Sequence, residues 1–201
     1  MLRVHNTKGF AMAYAGQILD NPQSGERFIF RKTAADTNGE YLEFDLELRP
    51  DGKVPGKHVH PKQTERFEVL DGTMQFKLGR KTIVAKAGDV VEVPPGTAHK
   101  FQNGGVSTAH VRVRVTPALR MEELFETVCG LAADGRTLKN GMPKPLDLAL
   151  FVSQYRDEVQ APFPPAVVQR ASLAPLAAIA KARGHHERYD CYRCPAAALA
   201  S

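Results

Sequence analysis

The sequence predicts a mainly β domain, a small barrel or sandwich of short antiparallel strands, followed by a helical extension. Three observations carry this reading. Residues 26–116 alternate apolar and polar side chains with a period of two, the mark of strands with one buried face. Turn-forming residues recur through the same stretch and cut it into many short strands. After Thr116-Pro117 the apolar spacing changes to that of a helix.

Taken in order, the apolar run from Phe10 to Ala15 is shorter than the roughly 7–15 residues of a signal-peptide core and reads as the first strand. In 41–48, Leu42, Phe44, Leu46 and Leu48 share one face, with Glu43, Asp45 and Glu47 on the other. Pro50-Asp51-Gly52 then supplies turn chemistry. Residues 65–70 and 73–78 are joined by Asp71-Gly72, a strong hairpin signal because the favoured two-residue turn needs positive φ. Further strands fit 82–86, 89–93, 98–103 and 109–115; in the last, Val111, Val113 and Val115 alternate with His110, Arg112 and Arg114.

Thr116 suits a helix cap and Pro117 a first helical turn. Leu124, Phe125, Val128 and Leu131 follow at helical spacing, and Asp134-Gly135 and Asn140-Gly141 make 132–145 a turn-rich loop. A second helix is expected over 146–157. A third is expected over 166–183, interrupted at Pro175 and capped by Gly184. The expected organisation is therefore a barrel over 1–116, a helical extension over 117–184 and a basic C-terminal tail over 185–201.

Composition narrows the function. Hydrophobic residues make up 43% and charged residues 24%, enough for a folded core. The formal charge of +5 is scattered among acids, with no Trp and no nucleic-acid-binding motif, which argues against nucleic acid as a partner. No stretch approaches the roughly 20 apolar residues of a membrane helix, so no membrane partner is expected. Three cysteines make no paired disulfide framework, and a cytoplasmic location is expected.

Two clusters carry chemistry. On a strand, His58 and His60 point to the same side, and Glu65 follows a short bend later. Pro94-Pro95-Gly96 forces a turn, and were the strand leaving it to return antiparallel beside the first pair, His99 would reach a fourth corner. Three neutral imidazoles and a carboxylate offset part of a +2 charge and leave positions open for small ligands. A nitrogen and oxygen donor set without thiolate suits one divalent metal ion: Fe, Mn, Ni, Co, Zn or Cu. Burying four such groups without a partner is costly.

These clusters resemble the two motifs of the cupin superfamily. Gly52, His58, His60, Glu65 and Gly72 match every spacing of the first motif, and Gly88, Pro94, Gly96, His99 and Asn103 match the second. The resemblance covers about residues 15–116. It implies a double-stranded β-helix (jelly-roll) cupin barrel, with the helices as a C-terminal extension outside the shared motifs. It also implies that His58, His60, Glu65 and His99 are the metal ligands, while the matched glycines, Pro94 and Asn103 shape turns.

Around that site, Phe67, Val69, Phe101, Met74 and Phe76 read equally as pocket walls or as barrel core. Cys191-x-x-Cys194, following His185 and His186, offers two zinc-ligand types, but the order fits no familiar zinc module. A mobile basic tail without function is the expected state. Cys129 reads as a small buried hydrophobe.

Three functions compete. The first is an O2-dependent oxidoreductase of the dioxygenase type, with Glu65 doubling as a catalytic base. The second is a metal-assisted isomerase, lyase or hydrolase in which the ion is a Lewis acid and His110, Tyr41, Arg112 or Arg114 supplies acid–base chemistry. The third is a non-catalytic module that binds a small ligand. A small-molecule substrate or ligand is common to all three, and the edge strands of a small barrel favour a homodimer.

Overall fold

The computed structural model describes residues 13–192. Its strands are β1 (Ile18–Asn21), β2 (Glu26–Lys32), β3 (Leu42–Leu48), β4 (Thr64–Asp71), β5 (Thr73–Leu78), β6 (Lys81–Lys86), β7 (Val90–Val93), β8 (His99–Asn103) and β9 (Ala109–Thr116). Four helices follow: α1 (Met121–Ala133), α2 (Pro145–Gln154), α3 (Ala166–Ala182) and α4 (His185–Tyr192).

The strands form a six-stranded sheet in the order β1-β2-β3-β9-β4-β7 and a three-stranded sheet in the order β6-β5-β8, antiparallel throughout. Consecutive strands repeatedly lie in different sheets, as a jelly roll requires. The alternation in the sequence explains the core. Leu42, Phe44, Leu46 and Leu48 turn inward with Phe67 and Val69 of β4 and Val111, Val113 and Val115 of β9, all buried. Each large side chain so buried contributes about 1.5–3 kcal/mol. Asp45 is the exception on the outer face. It is fully buried there beneath Arg31 and Arg112, which donate to it at 2.7 and 3.0 Å.

Asp71-Gly72 is not a hairpin. Strand β4 pairs with β7 and β9, whereas β5 pairs with β6 and β8, so Gly72 is the corner where the chain leaves one sheet for the other. Its φ of 81° favours glycine, and a Cβ there would lie 2.9 Å from the Ala109 Cα. The tight two-residue hairpin is Gly79-Arg80, between the paired Leu78 and Lys81. A positive-φ glycine serves a hairpin and a sheet-crossing corner equally well, and local sequence does not separate them.

Other expectations shift similarly. Of the strand expected over Phe10–Ala15, residues 10–12 lie outside the described residues and 13–15 are irregular; the first strand is β1. Thr116 closes β9 instead of capping a helix. Residues 117–120 form a connection tied to the β2–β3 loop by Ala118 N–H donating to the Gly39 carbonyl at 3.2 Å, and α1 begins at Met121. Helix α3 runs unbroken through Pro175. The carbonyl that loses its usual donor belongs to Ala171, an exposed residue, which keeps the cost low.

The segment expected to open a mobile tail is helix α4, and it is docked. Tyr189 is fully buried and its hydroxyl donates to the Asp147 carbonyl at 2.8 Å, while His185 Nδ1 lies 2.7 Å from the Asp147 carboxylate. Cys191 is exposed, and Cys194 lies outside the described residues. The helical extension packs on the strands through α1. Phe125 of α1 stacks on Phe28 at 4.5 Å and meets Phe44 edge-on at 5.0 Å, so inward-facing strand residues pack directly on the extension.

Candidate metal centre

Backbone pairing brings the four predicted side chains together. The segment before β4 runs antiparallel to β8: His58 N–H donates to the His99 carbonyl at 2.9 Å, and His99 N–H returns the bond at 2.8 Å. Directly opposed residues face the same side, so the two rings stand 4.3 Å apart between centroids. His60, two residues on, faces the same way, and its carbonyl accepts from Gly96 N–H at 2.9 Å, which ties the Pro94-Pro95-Gly96 turn to the pair. Glu65 arrives on the inward face of β4, opposite Val93 and Val115. One ligand atom from each of the four lies within 4.8 Å of all the others.

The imidazoles are oriented by the main chain. Nδ1–H of His58 donates to the Gly56 carbonyl at 3.0 Å, that of His60 to the Glu158 carbonyl at 2.6 Å, and that of His99 to the Thr97 carbonyl at 2.9 Å. A carbonyl only accepts, so each Nδ1 carries the hydrogen and each Nε2 is the ring nitrogen turned toward the centre. Metal-binding histidines are held in this way, through the ring nitrogen that does not touch the ion.

The donor set fits an ion. Ligands about 2.0–2.2 Å from a common divalent ion stand at most about 4.3 Å apart, close to the observed spread. His60 Nε2 is buried without a hydrogen-bond partner, 3.4 Å from Glu65 Oε2. His99 Nε2 stands 2.8 Å from the same oxygen. Because Nδ1 of His99 is already a donor, that contact takes a second proton on the ring. Burial opposes this, but the hydrogen bond and charge of Glu65 outweigh it, and the imidazole is raised above its ordinary value. Burial pushes the His58 imidazole down to about 3, assisted by His60 and His99. Burial also works against the Glu65 carboxylate, yet the surrounding imidazoles together hold it at about 2. The cluster is thus a carboxylate among imidazoles, with one proton held between His99 and Glu65 that a bound cation would displace.

Sequence reasoning missed what holds His60. Its carbonyl partner, Glu158, belongs to a strap after α2, and the strap pairs with the histidine segment through reciprocal Val59–Gln160 bonds of 2.9 Å each. No periodicity marks this contact, which joins residues about a hundred positions apart.

A cavity of about 400 Å³ adjoins the cluster. Phe28, Phe44, Phe67 and Phe101 wall it from the barrel, and Phe125 and Phe151 from the helices. Of the residues with two readings, Phe67 and Phe101 line the cavity, whereas Val69, Met74 and Phe76 pack into the core. The four acid–base candidates do not reach it. Arg112 and His110 face Asp45 on the outer side of the large sheet, and Arg114 binds Glu43 and lies over the Tyr41 ring at 4.4 Å. The alternation that turns Val111, Val113 and Val115 inward turns these residues outward. Glu26, which does line the cavity, was also missed. Its signal is parity, since it shares the inward face of β2 with Phe28 and Phe30.

Residues 44–115 match the family model of the Cupin domain. A 48-residue stretch is 46% identical to a probable oxidoreductase, virH, of Hypocrea virens; it covers 23% of this chain and only 22% of that protein. Among solved structures, similarity extends to a predicted oxalate decarboxylase from Thermotoga maritima, 22% identical over 50% of this chain and 90% of that one, with a TM-score of 0.46. An RmlC-like cupin from Shewanella frigidimarina NCIMB 400 is 17% identical over 58% of this chain and 96% of that one, also with a TM-score of 0.46. No described helix is long and apolar enough to cross a membrane.

Proposed function

From the premise that this chain belongs to the cupin superfamily, with its cupin domain over residues 44–115, we propose that it is a metal-dependent enzyme acting on a small molecule, an O2-dependent oxidoreductase of the dioxygenase type. One observation carries the reading: three Nδ1–H groups fixed on main-chain carbonyls turn three Nε2 atoms toward one buried carboxylate. His58, His60, Glu65 and His99 would hold the ion, which supplies Lewis acidity and, for Fe, Mn, Ni, Co or Cu, redox capacity.

The chain's own groups do the rest. The phenyl walls exclude water and orient an apolar substrate beside the cluster. Glu65 would act as a base toward an enol or phenol only on leaving the ion, since the imidazoles that hold it ionised also weaken it as a proton acceptor. The Lewis-acid reading ranks second, since the four side chains named for its acid–base chemistry lie on the outer sheet face. The partial likeness to a probable oxidoreductase also leans toward the first reading.

The test is metal content followed by turnover. Protein purified anaerobically and reloaded with Fe(II), Mn(II), Ni(II) or Zn(II) is followed for O2 uptake against a panel of diketones and phenols. Uptake with a redox metal alone is expected. Turnover with Zn(II) and no uptake would move the assignment to the Lewis-acid reading. Full metal stoichiometry in His99→Ala would remove the proposed centre.

A further inference from the structure

The cavity wall carries a buried carboxyl outside the metal cluster, that of Glu26. We propose that Glu26, braced by Ser24, forms a pole that receives an uncharged hydroxyl group at the far end of an elongated, largely apolar substrate whose other end meets the His58, His60, Glu65 and His99 cluster. This rests on reading the cluster as the metal site of a small-molecule enzyme.

Glu26 stands where the sheet's alternation calls for an apolar residue, on the inward face of β2 beside Phe28 and Phe30. It is 6% exposed, lines the cavity, and accepts from Ser24 Oγ at 2.5 Å. Burying a carboxyl in an apolar wall costs several kcal/mol unless something engages it, and one serine hydroxyl satisfies only part of its capacity. The mount is rigid. Asn21 Oδ1 accepts from the backbone N–H groups of Gln23 and Ser24, and the Ser24 carbonyl accepts from Lys53 N–H at 2.9 Å. His58 lies five residues beyond Lys53, so the segment joining the two poles spans at most about 17 Å. Phe28, Phe44 and Phe125 form one aromatic cluster along the cavity. A ligand touching both poles is therefore apolar in its middle.

The choice of a hydroxyl follows from charge. Burial pushes the Glu26 carboxyl up to about 7, against the smaller opposing effect of Ser24, so near neutrality it is substantially protonated. A protonated carboxyl both donates and accepts, which complements a hydroxyl. An ammonium group would demand the ionised form in an apolar wall.

The test uses the full chain loaded with Zn(II) and titrated calorimetrically with three probes: 4-hexylcatechol and its analogues ending in a hydroxyl or an amine. The hydroxyl probe should bind about tenfold more tightly than the methyl-ended one, the worth of one net hydrogen bond. Glu26→Leu should abolish that preference, Ser24→Ala should reduce it, and Glu26→Gln, which still donates and accepts, should keep it within about threefold. Equal binding of the two probes, a preference that survives Glu26→Leu, or tightest binding of the amine would overturn the proposal. Binding that is the same without zinc or in His99→Ala would instead strike the metal reading, and this proposal with it.

Discussion

Replacing Glu26 by Gln should make the protein more stable at pH 8 and change little at pH 5. An unfolded chain ionises this carboxyl near its ordinary value of 4.5, whereas burial holds the folded group at about 7. Between those values the folded state keeps a proton that the unfolded state has released, so stability falls as pH rises through the window. The displacement corresponds to about 3 kcal/mol of stability lost by pH 8. A Gln amide keeps a partner for Ser24 and carries no charge, so the variant avoids most of that loss. For a chain of this size the melting temperature at pH 8 should rise by roughly 6–12 °C. Urea denaturation of both proteins at pH 5, 6, 7 and 8 gives the difference directly, because every other titrating group is common to the pair. Cys129 feels the charge of Glu26, but burial has already raised its thiol well above this range. Parallel stability profiles for the two proteins would refute the buried, raised carboxyl.

Three further outcomes follow. Zn(II) at a hundredfold excess over its Kd should stabilise the protein by about 2.7 kcal/mol, seen as a melting shift that a chelator reverses and that His99→Ala lacks; an equal shift in the variant would place the ion elsewhere. Gly72→Ala should cost about 2–4 kcal/mol in denaturant melts, because it combines an unfavourable positive φ with a 2.9 Å approach to Ala109, and a near-neutral result would refute the close corner. Gln160→Pro deletes the donor to the Val59 carbonyl and leaves His58, His60, Glu65 and His99 in place, so, if they hold the ion as proposed, zinc affinity should weaken about tenfold at unchanged stoichiometry. Unaltered affinity in a folded variant would show that the strap does not orient His60.

The parts legible in the sequence are those whose physics is local. Alternation in Leu42–Leu48 and Ala109–Thr116 set the buried faces of two neighbouring strands, and the same parity put His58 and His60 on one side. The meeting of His99 with His58 is a long-range event; turn chemistry at Pro94-Pro95-Gly96 allows it, and the spacing of the two cupin motifs is what anticipates it. Asp71-Gly72 was misread because a hairpin and a sheet-crossing corner make the same local demand. Pro175 was misread as a break because its cost depends on exposure, a tertiary property. Glu26 shows a different failure. Its parity was visible, but a charged residue on an apolar face is easily passed over as a strand end.

The strap gives the helical extension a part in the site. Of the three carbonyls that fix the imidazole tautomers, Gly56 and Thr97 each lie two residues from the histidine they hold, so local turns supply them. His60 has no such neighbour, and its carbonyl comes from Glu158, itself buried and tied back to the start of α1 by accepting from Arg120 N–H at 3.3 Å. The same extension supplies Phe125 and Phe151 to the cavity wall. The barrel therefore furnishes every donor of the cluster, while the extension sets the angle of one donor and closes the space beside it. A change in the helices that leaves all four donors untouched can still act on both metal affinity and the shape of the molecule admitted, since the two depend on one packed unit.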